Sequence, residues 1–406
     1  TGATCFNLLK MQPADRHDFL TETFSDNSGF GFSYIRISIG CSDFSLSEYT
    51  CCDTKGIENF ALQSEEKNYI LPILKEILSI NPSIKIIAAP WTCPLWMKVK
   101  SLEDLTPLTT WTSGQLNPAY YQDYATYFVK WVQAFKAEGI DIYAVTPQNE
   151  PLNHGNSASM YMSWEEQRDF VKTALGPQFK AAGLDTKIYA YDHNYDYSNL
   201  EAEKQYPVKI YGDSDASQYI AGAAYHNYGG DREELLEIHK AYPEKELLFT
   251  ETSIGTWNSG RDLSKRLLED MKEVALGTVN NWCKGVIVWN LMLDNDRAPN
   301  REGGCQTCYG AVDISNSDYK TIIRNSHYYI IAHLSSVVKP GAVRIGASGY
   351  SDSNIMYFEN TDGTYAFVLM NNNEKTKKIT ISDGKRHFAY DVPGKSVTSY
   401  RWAKSK

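Results

Sequence analysis

The stretch IDIYAVTPQNEP, residues 140–151, begins as an apolar run of strand length. It ends on an amide and a carboxylate side by side, and proline closes it. A chain needing only a turn would more often place Gly, Asn or Asp there. A second run, ELLFTETS (246–253), repeats the pattern and delivers Glu251, 101 positions after Glu150 (251 − 150). The fold must decide whether these two strand ends meet.

Other strand-like runs are Phe32–Ile39, Ile84–Ala89, Thr186–Asp192, Gly222–Tyr228 and Gly285–Leu291. With Ile140–Val145 and Glu246–Thr250 they make seven, each short and nearly uniformly apolar, as parallel strands buried on both faces are. Amphipathic stretches lie between them: Glu65–Ser79, Pro118–Glu138, Trp164–Ala182 and Leu263–Val279. Repeated strand–helix units with right-handed crossovers place helices outside a parallel sheet. An eight-stranded barrel needs one strand more. The opening TGATCFNLLKMQ reads as the tail of a strand running into a helix, so the first barrel strand is expected upstream of Thr1.

Beyond residue 335 the helical periodicity stops. Val343–Ile345, Ile355–Glu359, Tyr365–Met370, Lys378–Ser382, Phe388–Val392 and Ser396–Trp402 are short runs parted by turn signals such as Asp362-Gly363 and Pro393-Gly394. That is the pattern of a small antiparallel domain. The reading is an α/β fold: a (β/α)8 TIM barrel over 1–335 with an antiparallel β-sandwich side domain over 336–406.

Composition narrows the function. The 406 residues carry a net charge of −9 with no offsetting basic block, which argues against nucleic acid as partner. No apolar stretch approaches the roughly 20 residues of a membrane span. Aromatics stand out at 13%, with 28 Tyr and 9 Trp, which serve either packing or the stacking of sugar rings. Of the eight cysteines, Cys305 and Cys308 form a lone CxxC without a second pair at zinc spacing. A loop disulfide or free thiols both fit it better than a metal, so neither metal nor cofactor is expected.

Polar residues gather at the strand ends: Arg36, Asp43, Trp91, Asn149, Glu150, His226, Tyr228, Glu251, Trp289 and Asn290. In a (β/α)8 barrel these ends converge on one mouth. Glu150 ends the fourth strand and Glu251 the seventh, counting the missing one, so the two face each other. Taken singly, a strand-end Glu is more often a solvated loop residue, His226 a packed histidine, Trp91 and Trp96 core, and Asp43 a turn cap. Two glutamates at equivalent places reverse that balance. A facing carboxylate pair suits acetal cleavage, one protonating the leaving oxygen and the other attacking the anomeric carbon. Asn149 is placed to bond a sugar 2-hydroxyl, and Arg36 to keep a glutamate ionised.

The segments FSYIRISIGCSDFS (32–45), AAPWTCPLWMK (88–98), AVTPQNEP (144–151), AAYHNY (223–228), LLFTETS (247–253) and VIVWNLMLD (286–294) resemble glycoside hydrolase family 30, of glucosylceramidases and microbial β-1,6-glucanases. The resemblance implies a retaining mechanism without cofactor, with Glu150 as acid/base and Glu251 as nucleophile. It places Arg36, Asn149, His226 and Tyr228 around the pair, and Asp43, Trp91, Trp289 and Asn300 around the glucosyl unit. The loops Lys98–Gln115 and Asp294–Tyr309 match less clearly. They read polar, which favours a sugar acceptor over a lipid, and Asp43 with Trp91 fits glucose better than xylose. The expected partner is a β-glucan polysaccharide or oligosaccharide and the expected activity an endo-β-1,6-glucanase, with an exo-acting β-glucosidase or glucosylceramidase as alternative. A silent carbohydrate-binding protein on the same scaffold is the third reading, disfavoured because both glutamates are present. A polymer substrate implies an extracellular, cell-surface or periplasmic location.

Overall fold

The computed structural model describes residues 1–347 and 354–404. Seven parallel strands form the central sheet: β1 (Tyr34–Ser38), β2 (Lys85–Ala89), β3 (Ala144–Val145), β4 (Lys187–Asn194), β5 (Ile220–His226), β6 (Glu246–Glu251) and β7 (Cys283–Val286). They are hydrogen-bonded in chain order, every pair parallel. β3 is shorter than the apolar run Ile140–Val145, although Tyr143 still donates to Ile86 at 2.9 Å and Thr146 to Ala88 at 3.0 Å.

Each strand buries both faces, and alternate residues sort between two cores. Ile87, Ala144, Tyr189, Ala224, Leu248 and Ile287 pack together inside the curled sheet. Their neighbours Ile86, Ala88, Val145, Ile188, Ala190, Ala223, Tyr225, Leu247 and Phe249 point outward against the helices. This two-sided burial is why the strands read as continuous apolar runs rather than alternating ones.

The helices follow from their apolar stripes. In α3 (Tyr121–Ala137) the buried residues are Tyr124, Ala125, Tyr127, Phe128, Trp131, Val132 and Phe135, the three-and-four spacing of one helical face. Helix α4 (Trp164–Phe170) starts on a capping box between Ser163 and Glu166 and runs through a wide turn at Val171–Leu175 to Ala181. Helices α2 (Leu71–Ile80), α5 (Glu234–Ala241) and α6 (Leu263–Asp270) also pack outside the sheet.

The chain opens on α1 (Gly2–Lys10), not on the tail of a strand: Thr1 is its N-cap, accepting from the Thr4 amide at 3.1 Å. A threonine ahead of Ala, Leu and Lys starts a helix at once. Helix α1 bridges the seam between β7 and β1. Ala3 donates to Phe44 O after β1 at 2.9 Å, and Thr4 Oγ1 donates to Met292 O after β7 at 3.0 Å. At the seam a Cβ on Gly285 would lie 3.2 Å from the Tyr34 ring, a tight contact that glycine avoids.

After α7 (Ser326–Ser335) the chain turns antiparallel. β8 (Val343–Arg344), β9 (Ile355–Glu359), β10 (Thr364–Asn371) and β13 (Ser396–Ala403) form one sheet; β11 (Lys377–Ser382) and β12 (His387–Val392) form a hairpin facing it. On β10, Phe367 and Leu369 point into the sandwich core with Ile355 and Val392. Ala366, Val368 and Met370 point the other way and join the barrel's own core beside Ile330 and Ile331 of α7. Ser399 Oγ reinforces that seat by donating to His333 O at 2.9 Å.

Candidate active site

The inward face of the sheet changes character one step above its apolar layer. Two residues beyond Tyr34, Ala144, Ala224 and Leu248 stand Arg36, Thr146, His226 and Thr250, all buried. On β4 the phase slips. The register with β5 shifts between Tyr191 and His193, and Tyr191 and Asp192 adopt φ of 72° and 81°. Asp192 thus enters the polar layer where simple alternation would put Tyr191.

Asp192 is fully buried and collects four groups. Arg36 Nη2 lies 2.8 Å from Oδ2 and His226 Nε2 lies 2.9 Å from Oδ1. Thr146 Oγ1 donates to Oδ2 at 2.7 Å and Thr250 Oγ1 to Oδ1 at 2.6 Å. Arg36 then reaches upward, donating through Nη1 to Glu251 Oε2 at 2.6 Å and through Nη2 to Asn149 Oδ1 at 2.7 Å. Tyr228 donates its hydroxyl to Glu251 Oε1 at 3.1 Å. Glu150 Oε1 lies 3.3 Å from His226 Nδ1 and 3.9 Å from His193 Nε2, and Asn153 Nδ2 donates to Glu150 Oε2 at 2.7 Å.

Glu150 sits at φ 43°, a left-handed value uncommon for a residue with a side chain. Its amide donates to Asp192 O at 3.0 Å, the preceding Asn149 amide to Pro90 O at 2.8 Å, and Gln148 Nε2 to Trp91 O at 2.7 Å. These bonds pin the Thr-Pro-Gln-Asn-Glu-Pro turn across β2 and β4. The consequence is the separation of interest: one carboxylate oxygen of Glu150, one of Glu251 and a ring nitrogen of His226 all lie within 4.8 Å of one another. Three such ligands could hold a divalent cation, but the Arg36 guanidinium already contacts Glu251, so the site carries its own positive charge.

Asp43, Trp91 and Trp289 form one wall. The two indoles stack with centroids 5.1 Å apart, and the Arg36 guanidinium lies 5.0 Å and 5.4 Å from them. Asp43 Oδ1 is buried and finds no hydrogen-bond partner among the described residues, an acceptor left open for a hydroxyl. Gly304 packs so tightly on Asp43 that a Cβ would lie 2.7 Å from it, and its loop is closed by a Cys305–Cys308 disulfide. The CxxC is therefore a loop clasp. The other six cysteines are buried free thiols. Asn300, on the same loop, donates to Arg297 O at 2.9 Å, and no hydrogen bond joins it to the pair among the described residues. Trp96 is core-side, its indole donating to Cys52 O at 2.9 Å.

Burial dominates the electrostatics. It lifts Asp43 to about 7, helped by the charges of Glu251 and Glu150. Burial would depress His226, but Glu251, Asp192 and Glu150 outweigh it and raise the imidazole to about 9. His193 is held at about 4 by burial, so it is neutral near pH 7. Glu251 is pushed up by burial and by Glu150 and Asp192, against the charges of His226 and Arg36. Glu150 is drawn down to about 2 despite its burial, by the imidazoles of His193 and His226 and the Asn153 amide. The mobile proton therefore rests on His226, in contact with Glu150.

Residues named from the sequence that meet here are Arg36, Asn149, Glu150, His226, Tyr228 and Glu251, with Asp43, Trp91 and Trp289 alongside. Asp192, His193 and Asn153 were not among them. Asp192 ends an apolar run as Glu150 and Glu251 do, but simple strand alternation points it away from the site.

Two carboxylates this close, over a hollow walled by indoles at the C-terminal mouth of a β/α barrel, define a glycoside hydrolase. Comparison with known proteins supplies the particular family. Residues 1–338 match the glycosyl hydrolase family 30 TIM-barrel domain and residues 341–400 its beta sandwich domain. The chain belongs to glycosyl hydrolase family 30. It is 86% identical to a solved endo-beta1,6-glucanase, with a TM-score of 0.99 over 100% of this chain and 90% of that one. It is 32% identical to an endo-1,6-beta-D-glucanase of Trichoderma harzianum over 98% of this chain and 82% of that protein. To the lysosomal acid glucosylceramidase of Mus musculus it is 27% identical, over 99% and 79%.

Proposed function

We propose that the protein is an endo-β-1,6-glucanase that hydrolyses its glucan with retention of configuration, through a covalent glucosyl-enzyme. The observation that carries this is the approach of one oxygen of Glu150 to one of Glu251 within 4.8 Å, which favours the close spacing of retaining enzymes over the about 6.5–9.5 Å between carboxyl groups that inversion uses to admit a water. Relatives named endo-1,6-glucanases support the linkage.

Glu251 is the nucleophile. Its ion pair with Arg36 and the Tyr228 hydroxyl stabilise the anion, and its oxygen forms the bond to the anomeric carbon as the O6 bond breaks. Glu150 is the acid, and it must carry a proton when the leaving O6 departs. The His226 Nδ1 proton is its source: shifting it across 3.3 Å to Glu150 Oε1 leaves a neutral imidazole that still donates to Asp192. Glu150 then takes a proton from the water that attacks the glucosyl-enzyme, and Glu251 is released as carboxylate. Asn149 orients the sugar 2-hydroxyl, and Asp43, Trp91, Trp289 and Asn300 hold the glucosyl ring.

We further propose an extracellular, cell-surface or periplasmic location; a polymer too large to enter a cell and the Cys305–Cys308 disulfide support that reading, and fractionation of the native source with cytoplasmic markers tests it. The function is tested on β-1,6-, β-1,3- and β-1,4-glucans with the anomer of the first product followed by NMR. Oligosaccharides of several lengths and β anomers from the β-1,6 polymer are expected. Release of glucose alone would point to an exo-glucosidase, and α anomers first would exclude retention.

A further inference from the structure

We infer that the loops after β5 and β6 carry the acceptor-side glucose site of this enzyme, with Trp257 as its stacking platform and Tyr228 as its junction with the cleavage point. This deepens the glucanase reading above and rests on it. A cavity of about 210 Å³ lies between Tyr228, Ser253, Trp257 and Asn258 and descends to Asp270 and His327. Trp257 is 53% exposed and Tyr228 44%, whereas Asp270 and His327 are 1% exposed. A large indole left open to water beside a polar hollow suits the C–H face of a sugar.

The placement follows from the sheet order. Asp43 and Trp91 stand on loops after β1 and β2, while the cavity belongs to β5 and β6, across the mouth. A chain with one ring against Asp43 and Trp91 and its glycosidic bond over Glu150 and Glu251 runs on toward Tyr228. Tyr228 belongs to both places, since its hydroxyl bonds Glu251 and, at 3.1 Å, Ser253 Oγ. In a β-1,6 chain the leaving oxygen hangs on an exocyclic carbon, which sets the next ring one bond further from the cleaved bond than in β-1,3 or β-1,4 chains. The cavity floor offers hydrogen bonding to that ring: His327 Nδ1 is buried and has no partner among the described residues.

The test separates this site from the chemistry. 2-Deoxy-2-fluoro-β-glucosyl fluoride reacts by forming the Glu251–C1 bond and expelling fluoride, and mass spectrometry reads the trapped adduct. The adduct is then released in buffer or in gentiobiose, whose hydroxyl attacks C1 while Glu150 takes its proton. In Trp257→Ala the ratio of gentiobiose-driven to buffer-driven release is expected to fall at least tenfold, and in Trp257→Tyr to recover to within threefold of wild type. A ratio within twofold of wild type in Trp257→Ala would overturn the platform. So would a loss that Trp257→Tyr fails to recover, since that assigns the effect to loop packing. Failure of the wild-type protein to form any adduct would overturn the retaining reading and this site with it.

Discussion

At the scale of single residues the site turns on one buried carboxylate that touches no reacting atom. Asp192 holds the guanidinium that pairs with Glu251 and the imidazole that touches Glu150, so its charge acts on both. His226 sits at about 9 instead of its ordinary 6.5, and the proton it shares with Glu150 is lost as pH rises through about 9. The rate constant kcat/KM on β-1,6-glucan is therefore expected to fall above about pH 9. The same raised value stabilises the fold fully below pH 6.5 and progressively less as pH climbs through 9. Asp192→Asn removes a charge that lifts His226. Its alkaline limb is expected at least one pH unit lower, with kcat reduced about 100-fold, a scale usual for acid–base groups. A merely architectural Asp192 would lower activity without moving the limb. Glu150→Gln is expected to lose far more activity on the glucan than on 2,4-dinitrophenyl β-glucoside, whose leaving group needs no proton; equal losses would remove Glu150 as the acid. Glu150 and Glu251 were legible because apolar strands ended on them. Asp192 escaped because strand alternation points it outward, and only the slip between Tyr191 and His193 turns it in.

At the scale of elements, β1, β2, β4, β5 and β6 were legible to within about two residues as buried apolar runs, whereas β3 is cut to Ala144–Val145 and the run Gly285–Leu291 has its strand earlier, at Cys283–Val286. Loops were not legible, because tertiary partners set their course. The clearest case is Lys98, read as a polar loop residue and found 1% exposed. Its ammonium donates to the carbonyls of Ser159 at 2.8 Å, Thr110 at 3.1 Å and Trp111 at 3.4 Å, tying the loop after β2 to the loop after β3. Burial lowers this amine to about 8, which still leaves it charged at neutral pH. Lys98→Met strands those carbonyls and is expected to reduce stability by about 3 kcal/mol, at roughly 1 kcal/mol or more for each, measured by denaturant titration. An unchanged midpoint would show that water replaces the ammonium.

At the scale of the whole molecule, two architectures share one apolar interior. Met370, 2% exposed, belongs to the antiparallel sheet yet packs in the same cluster as Ile330 and the barrel strands. Met370→Ala is expected to cost about 2–5 kcal/mol, and to lower the temperature at which activity is lost together with that of the calorimetric transition. Two separate endotherms, with activity following only the first, would contradict the common core. Protein engineers who wish to trim this enzyme or graft its catalytic half onto another carrier thus face a practical limit. A cut near residue 340 would uncover an oily face rather than free a module, and the shortened product would be expected to clump unless that face were redesigned with it.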